Sequence, residues 1–275
     1  MLGKLIKYDL KSYFKLFPLI WLAAIVLAFV NHFTLRHFSE AEASGVAELL
    51  GLVLPILVYV AAIVTLAVLT LILIIRRFYS GALKEEGYLV FTLPVKPWQI
   101  VVAKAIAATI VTIITSVVTV ISVLLLMDWA EVTRAIGELF HGLFHNEYIT
   151  GGQCAALMAE AVIVGIVGIA VSIYRIYCAI ALGHLFNKHR GGMAVLMYIA
   201  ISIVLSALGS TVVANLIFGL DTNWIDEFLR KISEATNTFG FISLGMLGLF
   251  LVSAVQIVIY HIVTERILSK RLNLE

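Results

Sequence analysis

Charge is scarce in this chain of 275 residues: Asp, Glu, Lys and Arg together make up 13% of it, against 62% hydrophobic residues. Soluble globular domains carry about 25% charged residues, and the mean hydropathy of +1.06 excludes an ordinary soluble fold. Proline is almost as rare, with four residues, Pro18, Pro55, Pro94 and Pro97, so the long apolar runs are seldom interrupted. Cysteine occurs twice, at Cys154 and Cys178. On one predicted helix their spacing corresponds to about 36 Å of rise, too far for a disulfide between them.

Catalytic signatures are missing as well. No G-x-x-x-x-G-K-[ST] run is present, so no Walker A loop is available to cradle nucleotide phosphates, and ATP hydrolysis by this chain is not expected. Serines are plentiful in the apolar runs, among them Ser116, Ser122, Ser172, Ser202, Ser206, Ser210 and Ser253, but no G-x-S-x-G elbow frames any of them. Such serines are expected to bond to backbone or to pack. His141 and His145 share a helix face, with Glu138 and Glu147 nearby, yet Gly142 stands where an H-E-x-x-H metal helix needs glutamate. No catalytic, metal or cofactor site is expected in this chain.

What the sequence does contain is a series of apolar runs. Roughly 20 residues cross about 30 Å of hydrocarbon, and six runs qualify: residues 16–35, 49–75, 100–127, 153–183, 191–220 and 239–263. Barrel strands would read as alternating segments of about ten residues. The expected fold is therefore an all-α polytopic membrane protein, a single transmembrane domain over 1–275.

Six crossings place both termini on one side, and the distribution of Lys and Arg says which. Fourteen fall on the side of the termini: Lys4, Lys7, Lys11, Lys15, Arg76, Arg77, Lys84, Lys96, Lys104, Lys188, Arg190, Arg266, Lys270 and Arg271. Only Arg36, Arg134, Arg230 and Lys231 fall opposite, so both termini are expected in the cytoplasm. The inner basic face follows from membrane insertion and does not point to nucleic acid. The Lys-rich start, the apolar stretch and Ala41-Glu42-Ala43 imitate a signal peptide, but the polar and aromatic residues between the last two argue against cleavage.

Within residues 1–17, Leu2, Leu5, Ile6, Leu10, Tyr13, Phe14 and Phe17 recur at the spacing of one helix face, while Lys4, Lys7, Lys11 and Lys15 occupy another. This predicts an interfacial helix with its lysines toward lipid phosphates, and Pro18 lets the chain turn into the first span. Two outer loops carry similar stripes, one from Trp129 to Phe144 and one from Trp224 to Ile232, and predict short amphipathic helices at the outer surface.

Ionisable residues inside spans are expensive and mark function by default. Among Asp, Glu, Lys and Arg, two lie deep within a span, Glu160 and Arg175, about 22 Å apart along one helix and so unable to pair within it. Arg175 can snorkel toward the inner interface or line a pathway with its neighbours Tyr174 and Ser172. Gly165, Gly168, Gly245 and Gly248 have the spacing of close-packing sites.

The sizeable inner connection, from Arg76 to Gln99, holds Phe78, Tyr79, Leu83, Tyr88, Leu89, Val90, Phe91 and Leu93, too apolar to be left in water. A short helix from Phe78 to Glu86 would present Arg77, Lys84, Glu85 and Glu86 outward, with Gly87 ending it and Pro94 and Pro97 stiffening the return. Such a knob suits the groove of a partner protein.

Residues Glu86-Gly87-Tyr88-Leu89-Val90-Phe91-Thr92-Leu93-Pro94-Val95, followed by Lys104, resemble the E-G-Y-L-x-x-T-L-P-V block and downstream lysine of the permease subunits of bacterial type-two ABC exporters of the Gram-positive peptide and antibiotic kind. Leu2 to Lys11 and Leu182-Gly183-His184-Leu185-Phe186 add to the resemblance. Lys96 departs from it, standing where the family carries a small polar residue. The resemblance implies an N-terminal elbow helix and a cytoplasmic coupling helix between spans 2 and 3, with Arg77, Lys84, Glu85, Glu86, Gly87, Tyr88, Leu89, Thr92, Leu93 and Pro94 meeting an ABC ATPase. It implies two copies of that ATPase, which binds ATP and Mg, and two of this chain. Substrate, an amphipathic peptide or lipid-like compound, would leave the bacterial cytoplasmic membrane through a path at the homodimer interface. An ion-coupled carrier or channel dependent on Glu160 or Arg175 is the competing reading, and an intramembrane enzyme the third.

Overall fold

A computed structural model describes residues 2–40, 46–83, 96–144, 149–186, 190–218 and 237–270. Among them are eight helices: α1 (Leu2–Tyr13), α2 (Phe17–Glu40), α3 (Val46–Leu83), α4 (Pro97–Leu126), α5 (Trp129–Phe144), α6 (Gly151–Gly183), α7 (Arg190–Phe218) and α8 (Thr238–Lys270). Six of these, α2, α3, α4, α6, α7 and α8, are long and apolar enough to cross a membrane. Their surfaces agree with that reading, since Leu19, Leu22, Val60, Leu208 and Leu249 are each more than half exposed. Apolar surface on this scale is stable against hydrocarbon, not water. The chain is a multi-pass α-helical membrane protein.

The chain divides into two compact units, Met1–Gly81 with Val102–Phe140, and Ala82–Val101 with His141–Glu275. In the first, Trp21 Nε1 donates to Thr115 Oγ1 (3.0 Å) and His32 Nδ1 to the Leu126 carbonyl (3.2 Å), and both bonds join residues 94 apart. A constant offset means that α2 and α4 run parallel. The Tyr59 and Ser122 hydroxyls share a bond of 2.8 Å, while farther along α3 Arg77 comes to the same carboxylate as Lys104, near the start of α4. Partners that retreat along α4 as α3 advances make that pair antiparallel, the order that successive crossings require.

The second unit repeats the logic. Ser243 meets Glu160 and, farther along both helices, Tyr174 meets His261, so α6 and α8 run parallel. Between them in sequence, α7 returns beside α6. The end of α6 meets the start of α7 so closely that a Cβ on Gly183 would lie 2.5 Å from the Ala194 nitrogen and 2.6 Å from its Cα. Only a residue without a side chain fits there. At the other end of α6, the Thr150 amide donates to Gln153 Oε1 (3.0 Å), satisfying one backbone donor at the helix start.

Two expectations are corrected. Gly165, Gly168, Gly245 and Gly248 do not close-pack within the chain, because a Cβ on any of them would meet no described atom within 4 Å. Also, Phe78 to Leu83 is no separate helix: α3 continues unbroken through it, and Phe78 is fully buried. Residues 84–95 and the second outer-loop stripe, Trp224 to Ile232, lie outside the described residues.

Gly183→Ala is expected to lower the unfolding temperature in detergent by the equivalent of about 1–3 kcal/mol, the usual cost of overpacking, and at the upper end because backbone cannot yield as a side chain does. Gly165→Ala, which faces open space, is expected to leave it unchanged or slightly raised.

Candidate functional site

The N-terminal helix carries one residue out of keeping with its two faces. Lys4, Lys7 and Lys11 are exposed, as is Lys15 just beyond the helix, and Leu5, Ile6 and Tyr13 turn inward, but Asp9 falls on the inward stripe and is 7% exposed. Its carboxylate is held by two cations from two other helices. Arg77 of α3 donates from Nε at 3.1 Å and places Nη2 at 3.1 Å from the same Oδ1. Lys104 of α4 brings Nζ to 3.5 Å. The side chains of Asp9 and Lys104 are 10% and 7% exposed, that of Arg77 28%. Water screens this cluster little, so the attraction is strong and the loss of any one member leaves a poorly solvated charge.

Aromatic side chains lock the turn that follows. Tyr13 packs edge-on against Phe17, and Phe14 against Trp21, with Tyr13 and Phe17 almost wholly buried. Pro18 sits in the first turn of α2, where no intrahelical bond is lost. Helix α1 is therefore fixed by its acid and by its aromatic end, and Arg77 and Lys104 lie on either side of the 84–95 connection. Arg77 does not project outward as the sequence pattern suggests, since the buried acid of α1 turns it inward.

In the second unit the pathway candidates separate. Ser172 donates to the Gly168 carbonyl (3.1 Å), a bond within its own helix. Tyr174 is buried and meets the His261 ring edge-on at 5.8 Å. Arg175 sets its guanidinium 5.5 Å from the Tyr198 ring centre, and its Nε is buried without a hydrogen-bond partner among the described residues. Ser202 Oγ, one turn beyond Tyr198, and His261 Nδ1 are likewise buried and unpaired. Glu160 accepts a 2.8 Å bond from Ser243 at Oε1, while Oε2 is buried and unpaired in a cleft of ≈ 220 Å³ walled by Ile163, Val164, Met246, Leu247 and Phe250. Tyr174 thus faces α8 and Arg175 faces α7, and Glu160 occupies a separate place nearer the helix starts.

The remaining coupling candidates, Lys84, Glu85, Glu86, Gly87, Tyr88, Leu89, Thr92, Leu93 and Pro94, lie outside the described residues, as does His145. Asp9 and the burial of Lys104 were missed as site features, although one signal was available: Asp9 stands three residues after Ile6 and four before Tyr13, squarely in the apolar stripe. No family model matches the chain, and no match is found among curated proteins or solved structures.

Asp9→Asn is expected to destabilise the protein by about 3–5 kcal/mol, the cost of leaving a buried cation unpaired, measurable as a fall in unfolding temperature. Arg77→Gln, on the more exposed partner, is expected to cost clearly less.

Proposed function

We propose that this chain is the transmembrane subunit of an ATP-driven exporter, homodimeric, working with a separate ATPase subunit that docks on the 84–95 connection at the cytoplasmic face. The E-G-Y-L-x-x-T-L-P-V-like block supports the family reading, and the observation that carries the mechanical part is the Asp9 cluster. A push on a loop moves helices only if the loop is joined to them stiffly. Here the helix before the connection and the helix after it are both clamped to α1, so displacement of the loop is passed to three elements together, as rigid-body switching requires. Nucleotide binding in the partner then supplies the energy, and tilting of two such helical bundles opens a path for an amphipathic peptide or lipid-like substrate.

A second reading, an ion-coupled carrier, is favoured by the unpaired polar atoms of Glu160, Arg175 and His261 within the spans. The two readings make opposite predictions. For the exporter, the chain purified from its native membrane brings ATPase activity with it, and the double reversal Glu85→Lys with Glu86→Lys removes that activity while the unfolding temperature stays unchanged. For the carrier, the chain alone in liposomes moves solute down an ion gradient, and Glu160→Gln or Arg175→Gln stops it. Full transport by the isolated chain without nucleotide overturns the exporter reading.

A further inference from the structure

A cleft of ≈ 240 Å³ lies between the α1–α2 turn and the last turns of α3, lined by Ser12, Tyr13, Leu16, Phe17, Leu73, Arg76, Arg77 and Ser80. Its wall on α3 is one helix face, because Leu73, Arg76, Arg77 and Ser80 follow the three-four spacing of neighbours on a helix. The lining divides by chemistry. Arg76, Arg77, Ser12 and Ser80 supply cationic and hydroxyl donors, and Leu16, Phe17 and Leu73 supply an apolar floor. Arg77 is oriented by Asp9. Arg76 is exposed and makes no ion pair among the described residues. Two guanidinium groups and two hydroxyls around one cleft suit a phosphate, since arginine presents paired N–H donors to its oxygens.

We propose that this cleft binds the phosphate of an anionic phospholipid headgroup, with the first carbons of the acyl chains lying on Leu16, Phe17 and Leu73. Three observations favour a lipid over a free phosphate. The floor is apolar. The cleft lies at the last turns of the candidate span Val53–Gly81, beside an α1 whose lysines are exposed, and basic residues at a span's end attract anionic headgroups. Its volume is below the about 300–1,000 Å³ of sites that enclose a whole drug-sized ligand, as suits a pocket that takes a headgroup and leaves the chains in the bilayer. The bound lipid would brace the turn between α1 and α2 and add a second restraint on the Arg77 end of α3.

The test is native mass spectrometry of the purified full chain with dioctanoyl phosphatidylglycerol, with dioctanoylglycerol and with inorganic phosphate. Phosphatidylglycerol is expected to bind, and both the phosphate-free glyceride and inorganic phosphate to bind at least about tenfold more weakly, a gap of 1.4 kcal/mol. Arg76→Gln is expected to weaken phosphatidylglycerol by at least about tenfold, and Ser12→Ala with Ser80→Ala by several-fold. Lys7→Gln, which removes one exposed charge from α1, is expected to stay within about fivefold. Equal losses in Arg76→Gln and Lys7→Gln would show diffuse attraction and overturn the site. Binding of the glyceride as tight as that of phosphatidylglycerol would overturn phosphate recognition, and equally tight inorganic phosphate would overturn the lipid assignment.

Discussion

Backbone amides and carbonyls in hydrocarbon have no water to bond, so every span must satisfy its own polar groups. The rest of this molecule follows from that constraint. The apolar runs close into helices, and the hydroxyls within them turn back onto the same helices. On α4 alone, Thr109, Thr112, Thr115, Ser116 and Thr119 each donate to the carbonyl four residues earlier. Among the described residues few polar atoms are left for contacts between helices, and such contacts as Trp21 with Thr115, His32 with the Leu126 carbonyl, Tyr59 with Ser122 and Ser243 with Glu160 set the register of neighbours. Because lipid is as apolar as leucine, such contacts and close packing at small residues such as Gly183 define the arrangement more than burial of hydrophobic area does.

Where the chain leaves the hydrocarbon, electrostatics takes over. The Asp9 carboxylate takes an ion pair from each of Arg77 and Lys104. It joins an amphipathic surface helix to two spans that flank a loop. The same end of α3 carries Arg76 and Ser80 over the cleft beside the α1–α2 turn. The ion cluster and the cleft proposed to take a lipid headgroup thus share the last turns of one helix. In the second unit, single polar atoms of Arg175, Ser202 and His261 are buried with no hydrogen-bond partner among the described residues, each an exception to the usual pairing of buried polar groups.

Much of the architecture was legible from hydropathy alone, because a run of twenty apolar residues has only one stable form in a bilayer. Each of the six expected spans overlaps a helix, the amphipathic stripe within residues 1–17 is helical over Leu2–Tyr13, and that from Trp129 to Phe144 is a helix too. The site was far less legible. Arg77 looked like a residue turned toward a partner, since its own neighbourhood in sequence is charged, and nothing local shows that an acid 68 residues earlier draws it inward. The spaced glycines of α6 and α8 looked like packing sites, because spacing reveals a smooth face but not what lies against it.

The sequence by itself determined the number of crossings, the two-faced nature of the first helix and the rarity of charge inside the spans. All of these follow from the cost of moving single groups between water and hydrocarbon, a quantity that each residue carries with it. Only the tertiary structure decided which cations share Asp9, which glycine admits a neighbouring backbone and which polar atoms remain unpaired. Those outcomes depend on distances between residues far apart in the chain, and helical periodicity holds no record of them.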